Sequence, residues 1–241
     1  MEHLDSILND WPFDSDRLNV REAEGNDGRP VLQMRIDLGI LQLEVTGRPD
    51  GERPGDEDSF FDLLVSRAAE EGSDFSLDVD DSREIDREFV QFYHRRICWL
   101  RLQRYDMAAA DADHTLALMD FCQGHSDDEQ WTMAHQQYRP FVLMHRTQAA
   151  AMAELEENGL DEAISAVDDG LRRLREFFVE FEMEEHYEED EIVVQLRQFR
   201  GALREQFDDT YQLKQALDAA IAKEQYERAA EIRDEIRRKD E

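Results

Sequence analysis

"RRICWLRLQRYDMAAADADHTLAL", residues 95 to 118, holds two helical patterns separated by a polar break. Before the break, Phe89, Phe92, Tyr93, Ile97 and Leu100 recur at the spacing of one helix face. After it, Ala108, Ala109, Ala112, Leu116 and Met119 do the same. Gln103-Arg104-Tyr105-Asp106 is the turn between them. Small residues early in the second helix let it approach the first closely, so the stretch predicts an antiparallel helical hairpin. The pattern then recurs: Phe141 to Leu155 reads as a helix, "EENG" turns the chain, and Asp161 to Phe178 reads as its partner. "YDMAAADADHTLALM" from Tyr105 aligns without gaps with "LDEAISAVDDGLRRL" from Leu160, setting Ala108 against Ala163 and Leu116 against Leu171.

The N-terminal side of this body has a different period. In "VLQMRIDLGILQLEVTG" the residues Leu32, Met34, Ile36 and Leu38 alternate with polar ones, which is the pattern of a strand with one buried face. "LNVREAE" makes a shorter strand before it, and "GNDGRP" between the two has the residues of a hairpin turn. The phase changes at Leu38-Gly39-Ile40, where a bulge or a third strand fits. "GRPDGERPGDEDS" ends the sheet, and "EEGSDFSLDVDDS" (70 to 82) reads as an acidic loop. The expected fold is α+β and mostly α. It comprises a small antiparallel β element with its loop (1–56), a helical-hairpin body (57–207) and a C-terminal two-helix hairpin (208–241). Leu196, Phe199, Leu203, Thr210, Leu213 and Leu217 follow a near-heptad, coiled-coil-like seam that would join body to hairpin in one long helix.

The first pair, in the order aromatic helix, turn, Tyr-Asp, alanine-rich helix, resembles a degenerate tetratricopeptide hairpin. It departs from that family in lacking a glycine before the Tyr105 position and a closing proline. The insertion of "FCQGHSDDEQWTMAHQQYRP" also takes the repeat spacing far above the usual length of about 34 residues. A generic antiparallel helical bundle stays open beside it.

Composition excludes several functions. The 241 residues carry 59 acidic and 28 basic side chains, a net charge of −31, and 41% are hydrophobic, enough for a core. That field repels phosphate backbones and disfavours direct nucleic-acid binding. Cys98 and Cys122 have no second pair for a zinc quartet and read as buried small hydrophobes. "MEHLDSILNDWPFDSD" has no basic n-region or apolar run, so the expectation is a soluble cytoplasmic protein without a membrane segment.

Candidate chemistry is sparse. "VEFEMEEHYEEDE" (179 to 191) surrounds His186 with carboxylates, but the paired Glu-x-x-His spacing of a di-iron bundle is missing; the stretch reads as a solvated acidic helix face with Phe177, Phe178 and Phe181 turned inward. His94 and His145 read as interhelix packing groups, and no HExxH, G-x-S-x-G or phosphate-binding glycine loop occurs. No catalytic residue, metal ligand or cofactor is expected. "GRPDG" (47 to 51) either presents Arg48 and Asp50 as a fixed charged contact or is a plain structural turn.

The chain ends on "LKQALDAAIAKEQYERAAEIRDEIRR", 213 to 238. One apolar stripe holds Leu213, Leu217, Ala220 and Ile221; the next holds Tyr226, Ala229, Ala230, Ile232, Arg233 and Ile236. Tyr226 opens the second helix, where its ring would cover the joint. With Glu227 and Asp234, these residues resemble the UVR motif of the repair proteins UvrB and UvrC, the ATPase ClpC and the adaptor McsA. Tyr226 stands where phenylalanine is usual, and Lys239 where a leucine often closes the second helix. The resemblance implies a protein-interaction surface made by Leu213, Leu217, Ile221, Tyr226, Ala229, Ala230, Arg233 and Ile236. It would dock a second copy, another UVR-bearing chain or the protein's own helical body. Neither helicase, nuclease nor ATPase motifs accompany it. The function expected is a noncatalytic interaction adaptor in stress or repair complexes. The alternatives are a nucleotide-excision-repair accessory factor acting through UvrB or UvrC, and an enzyme with an unrecognised site in the helical body.

Overall fold

A computed structural model describes residues 4–207, 209–223 and 225–239. The chain forms two compact units, residues 1–149 and 150–241. Among the described residues, no helix is long and apolar enough to cross a membrane.

In the first unit a short helix, α1 (Leu4–Asp10), precedes β1 (Asn19–Glu24), β2 (Pro30–Ile36) and β3 (Gly39–Glu44). The strands form an antiparallel meander in the order β1-β2-β3, with Val20 opposite Met34 and Leu32 opposite Leu43. Gly28, at φ 81°, closes the β1–β2 turn through a bond from its N–H to the Gly25 carbonyl (2.9 Å). The phase change at Gly39 is the start of the third strand. Leu38 departs from the alternation: it lies in the β2–β3 turn, 89% exposed, because the strand ends two residues earlier.

The helices of this unit are α2 (Phe60–Glu71), α3 (Val79–Arg101), α4 (Tyr105–His125), α5 (Glu129–Gln136) and the first part of α6 (Arg139–Glu157). The sheet has no core of its own: Leu32, Met34 and Leu43 are buried with Cys98, Trp99, Ala108 and Ala149. A second cluster joins Phe60, Leu64, Phe75, Ile85, Leu118 and Cys122. Ala108 and Ala112 are fully buried in the α3–α4 hairpin, where a larger side chain would force the helices apart.

Further sequence expectations need correction. The acidic loop is shorter than 70 to 82, because the Asp78 carboxylate accepts the N–H groups of Asp80 and Asp81 (2.8 Å each) and Asp81 returns a bond to the Asp78 N–H. This reciprocal cap starts α3 at Val79. The run 121 to 140, to which the sequence reading assigned no secondary structure, is largely helical: α4 continues to His125, and Asp128 caps α5 through the Trp131 N–H (2.9 Å).

Another correction lies in the second unit, which contains the rest of α6, then α7 (Leu160–Glu180), α8 (Glu191–Phe207), α9 (Asp209–Ala222) and α10 (Tyr226–Lys239). Most of the run 179 to 191, residues 181 to 190, is a connection with one short 3-10 turn (Glu184–His186) rather than an acidic helix face. Helix α7 stops when Glu182 enters the left-handed region (φ 54°) and the Met183 N–H bonds back to the Phe178 carbonyl (2.8 Å). Phe177 and Phe178 are buried and Phe181 is half-buried. Tyr187 folds inward, donating its hydroxyl to the Leu171 carbonyl (3.0 Å) in the α7–α8 core of Leu174, Val193 and Leu196. Glu182 and His186 therefore share no helical turn. The seam proposed to run unbroken into the hairpin crosses Asp208 and the Thr210 side chain, which lie outside the described residues.

Candidate functional site

Helices α9 and α10, each of 14 residues, form an antiparallel pair. Isolated helices shorter than about 12–15 residues are marginal in water, so each needs the apolar stripe of the other. The turn is closed by the Gln225 N–H on the Ala220 carbonyl (2.8 Å), and the Gln225 carbonyl then accepts the Ala229 N–H (2.9 Å) to start α10. Ala220, Ala229 and Ile232 are buried in the seam, and Leu213, Ala216, Leu217 and Ile236 pack against them half-covered. Alanines at the contact bring the backbones close, which leaves the larger side chains on the flanks.

The eight residues singled out by sequence thus divide. Leu213, Leu217, Ala229 and Ile236 are brought together in the hairpin's own seam, and Ala230 is half-buried beside it. Ile221 and Tyr226 face solvent at 50% and 68% exposure, so the ring does not cover the joint. The exposed Arg233 guanidinium bonds to Asp234, its neighbour (3.0 and 2.7 Å). The pair therefore presents a thin apolar seam, a flank of partly covered leucines and isoleucines, and the exposed ring of Tyr226.

The other residues flagged by sequence are structural. Arg48 of the GRPDG turn points inward, 2% exposed. It pairs with Glu84 (2.8 Å) and lies 3.4 Å from Asp50 and 3.6 Å from the fully buried Glu88. Glu88 in turn accepts the N–H groups of Phe60 (2.7 Å) and Phe61 (3.0 Å) at the start of α2 and contacts His114 Nε2 (3.0 Å). Arg48 first, then Arg87, hold the Glu84 carboxyl below the usual range. Arg95 completes the anchor by donating to Asp111 (2.7 Å) and to the Gly47 carbonyl (2.7 Å). Burial pushes the thiols of Cys98 and Cys122 up to about 12, which makes both poor nucleophiles. Burial likewise lowers His94, and it takes His145 down to about 4 with help from the Arg96 charge. Among the described residues, no group of three or more His, Cys, Asp or Glu is placed to hold a metal ion.

Sequence reasoning missed an apolar cavity flanked by α3, α4, α5 and the start of α6. Its signal in the sequence was faint: Arg96 sits among apolar positions of α3 like any polar flank residue.

Residues 212–241 match the family model described as the UvrB/uvrC motif. This is the stretch that forms α9 and α10, and the match covers only this end of the chain. No curated protein and no solved structure matches the chain.

Proposed function

We propose that this chain is a noncatalytic cytoplasmic adaptor that docks a protein through residues 208–241, with the β element of 1–56 and the helical body of 57–207 as its carrier. The observation that carries the reading is the hairpin's incomplete burial. Among the described residues, only Ala220, Ala229 and Ile232 are covered in its seam, while Leu213, Leu217 and Ile236 stay half-covered and Ile221 half-exposed. A two-helix unit with so small a core gains most by laying that flank on a second hairpin of the same kind, whether in another UVR-bearing chain or in a second copy. Charge supports a distinct module: residues 211 to 241 carry seven basic and eight acidic side chains, so the tail is nearly neutral in a chain of net charge −31.

The test is Ala230→Glu in the full-length protein, with helicity checked by circular dichroism. A carboxylate beside the seam abolishes both self-association in sedimentation and capture of a purified UVR hairpin. Recovery equal to wild type would sink the reading.

The match to a motif described by UvrB and UvrC favours a second reading, an accessory factor of nucleotide excision repair. It requires that a deletion strain lose survival after ultraviolet damage; survival equal to the parent removes it.

A further inference from the structure

The first unit carries four buried arginines, Arg35, Arg48, Arg95 and Arg96, and three have anionic or carbonyl partners. Arg35 lies among backbone carbonyls, including those of Trp11 (3.1 Å) and Gly39 (2.9 Å). Arg48 has Glu84, and Arg95 has Asp111. Arg96 is the exception. At 1% exposure it forms no ion pair among the described residues, and its hydrogen bonds go to Thr115 Oγ1 (3.1 Å) and His145 Nδ1 (3.3 Å). Both partners are neutral, since burial keeps the His145 imidazole unprotonated at ordinary pH. Asp111, which acts on Arg96 through space, is already engaged by Arg95. Burial lowers Arg96 to about 10, which still leaves it charged at neutral pH. Its guanidinium also lies 5.9 Å over the Tyr93 ring, but a buried cation with no carboxylate bonded to it is costly unless an anion pairs with it.

Arg96 lines an apolar cavity of about 680 Å³. Arg96 and Thr115, both buried, form the floor, and Val90 and Tyr138, 54% and 58% exposed, form the rim. The walls between are Phe89, Tyr93, Phe141 and Val142. The volume is that of a small-molecule site, typically about 300–1,000 Å³, with apolar walls and one polar anchor. At the mouth, the Asp86 carboxylate accepts His135 Nε2 (2.9 Å) and Trp131 Nε1 (3.0 Å). A negative rim on a chain of charge −31 selects against highly charged ligands such as phosphate esters.

We infer that this cavity binds a small amphiphilic carboxylate, whose aromatic or aliphatic body fills the walls while its single negative charge pairs with Arg96. A guanidinium offers a carboxylate two parallel N–H donors, and the surrounding apolar surface strengthens that pairing by excluding water. The site is independent of the C-terminal hairpin.

Calorimetric titration of the full-length protein with naphthylacetate and with its neutral isostere naphthylacetamide tests this. The acid binds roughly 10-fold or more tighter than the amide, as a charge-assisted pair requires. Arg96→Met removes the preference, Val90→Trp at the rim weakens both ligands, and Ala230→Glu in the hairpin leaves both unchanged. Equal affinities, no binding of either, or a preference that survives Arg96→Met would overturn the inference. Should Arg96→Met fail to fold, affinities for both ligands left unchanged by Val90→Trp would locate the ligand elsewhere and overturn it equally.

Discussion

His145 accepts the Arg96 Nε–H through Nδ1, which fixes its own proton on Nε2 and lets it serve only while neutral. Its folded value, lowered to about 4 by burial and by the Arg96 charge, lies below the 6.5 of an unperturbed imidazole. The unfolded chain therefore binds the proton more readily. The sign follows: the stability this histidine contributes is present above pH ~6.5 and drains away as pH falls towards about 4. The full span is on the order of 3 kcal/mol. His145→Gln keeps an acceptor for Arg96 and cannot titrate. Urea denaturation between pH ~4 and ~7 should show the wild type losing stability relative to this variant as pH falls, and parallel curves would contradict the assignment. The sequence reads His145 as an interhelix packing group, but nothing in "RPFVLMHRTQ" names Arg96 as its partner, which is 49 residues away in sequence. Arg48 is illegible for the same reason: in the string it belongs to a turn, and only the fold sets Glu84 and Glu88 beside it.

Among the elements, periodicity read well wherever one face of a helix is buried against a single neighbour. The α3–α4 hairpin falls where residues 95 to 118 predict it, because the alanines of α4 and the aromatic face of α3 are two halves of one packing surface. The seam of Leu213, Leu217, Ala229 and Ile236 was visible by the same spacing. End signals were harder. "DVDDS" looks like a loop by composition, yet Asp78 caps α3 while Asp80 and Asp81 favour its positive N-terminal end. At the other end, Gln103 adopts the left-handed conformation (φ 59°) that a glycine usually supplies, and the Arg104 N–H bonds back to the Trp99 carbonyl (2.9 Å). The turn therefore forms without the glycine whose absence the sequence shows before Tyr105. Asp78→Ala removes the side-chain half of the reciprocal cap and should cost about 1 kcal/mol, with 2 kcal/mol as an upper range. Thermal unfolding would detect this as a fall of several degrees. Asp80→Ala, whose side chain reaches only the exposed Arg83, should lower the midpoint much less. Equal effects would mean that the first turn owes its stability to charge alone.

At the scale of the whole molecule, charge decides how any association responds to salt. Almost all of the net −31 lies outside residues 211 to 241, so docking two hairpins of the same chain brings two strongly negative bodies towards each other. Their repulsion reaches about 30 Å at ~0.01 M salt and only about 8 Å at ~0.15 M. Within the hairpin the contact is apolar, and apolar burial does not weaken over that range. Self-association through α9 and α10 must therefore strengthen as salt is added, whereas a partner recruited by the acidic surface must bind more weakly. Sedimentation of the full-length protein across these two salt concentrations separates the cases. A dimer that tightens with salt and disappears in Ala230→Glu belongs to the hairpin, where the charge is nearly balanced and the apolar flank half-covered. A complex that dissociates with salt instead engages the acidic body, and the hairpin would not be what holds it.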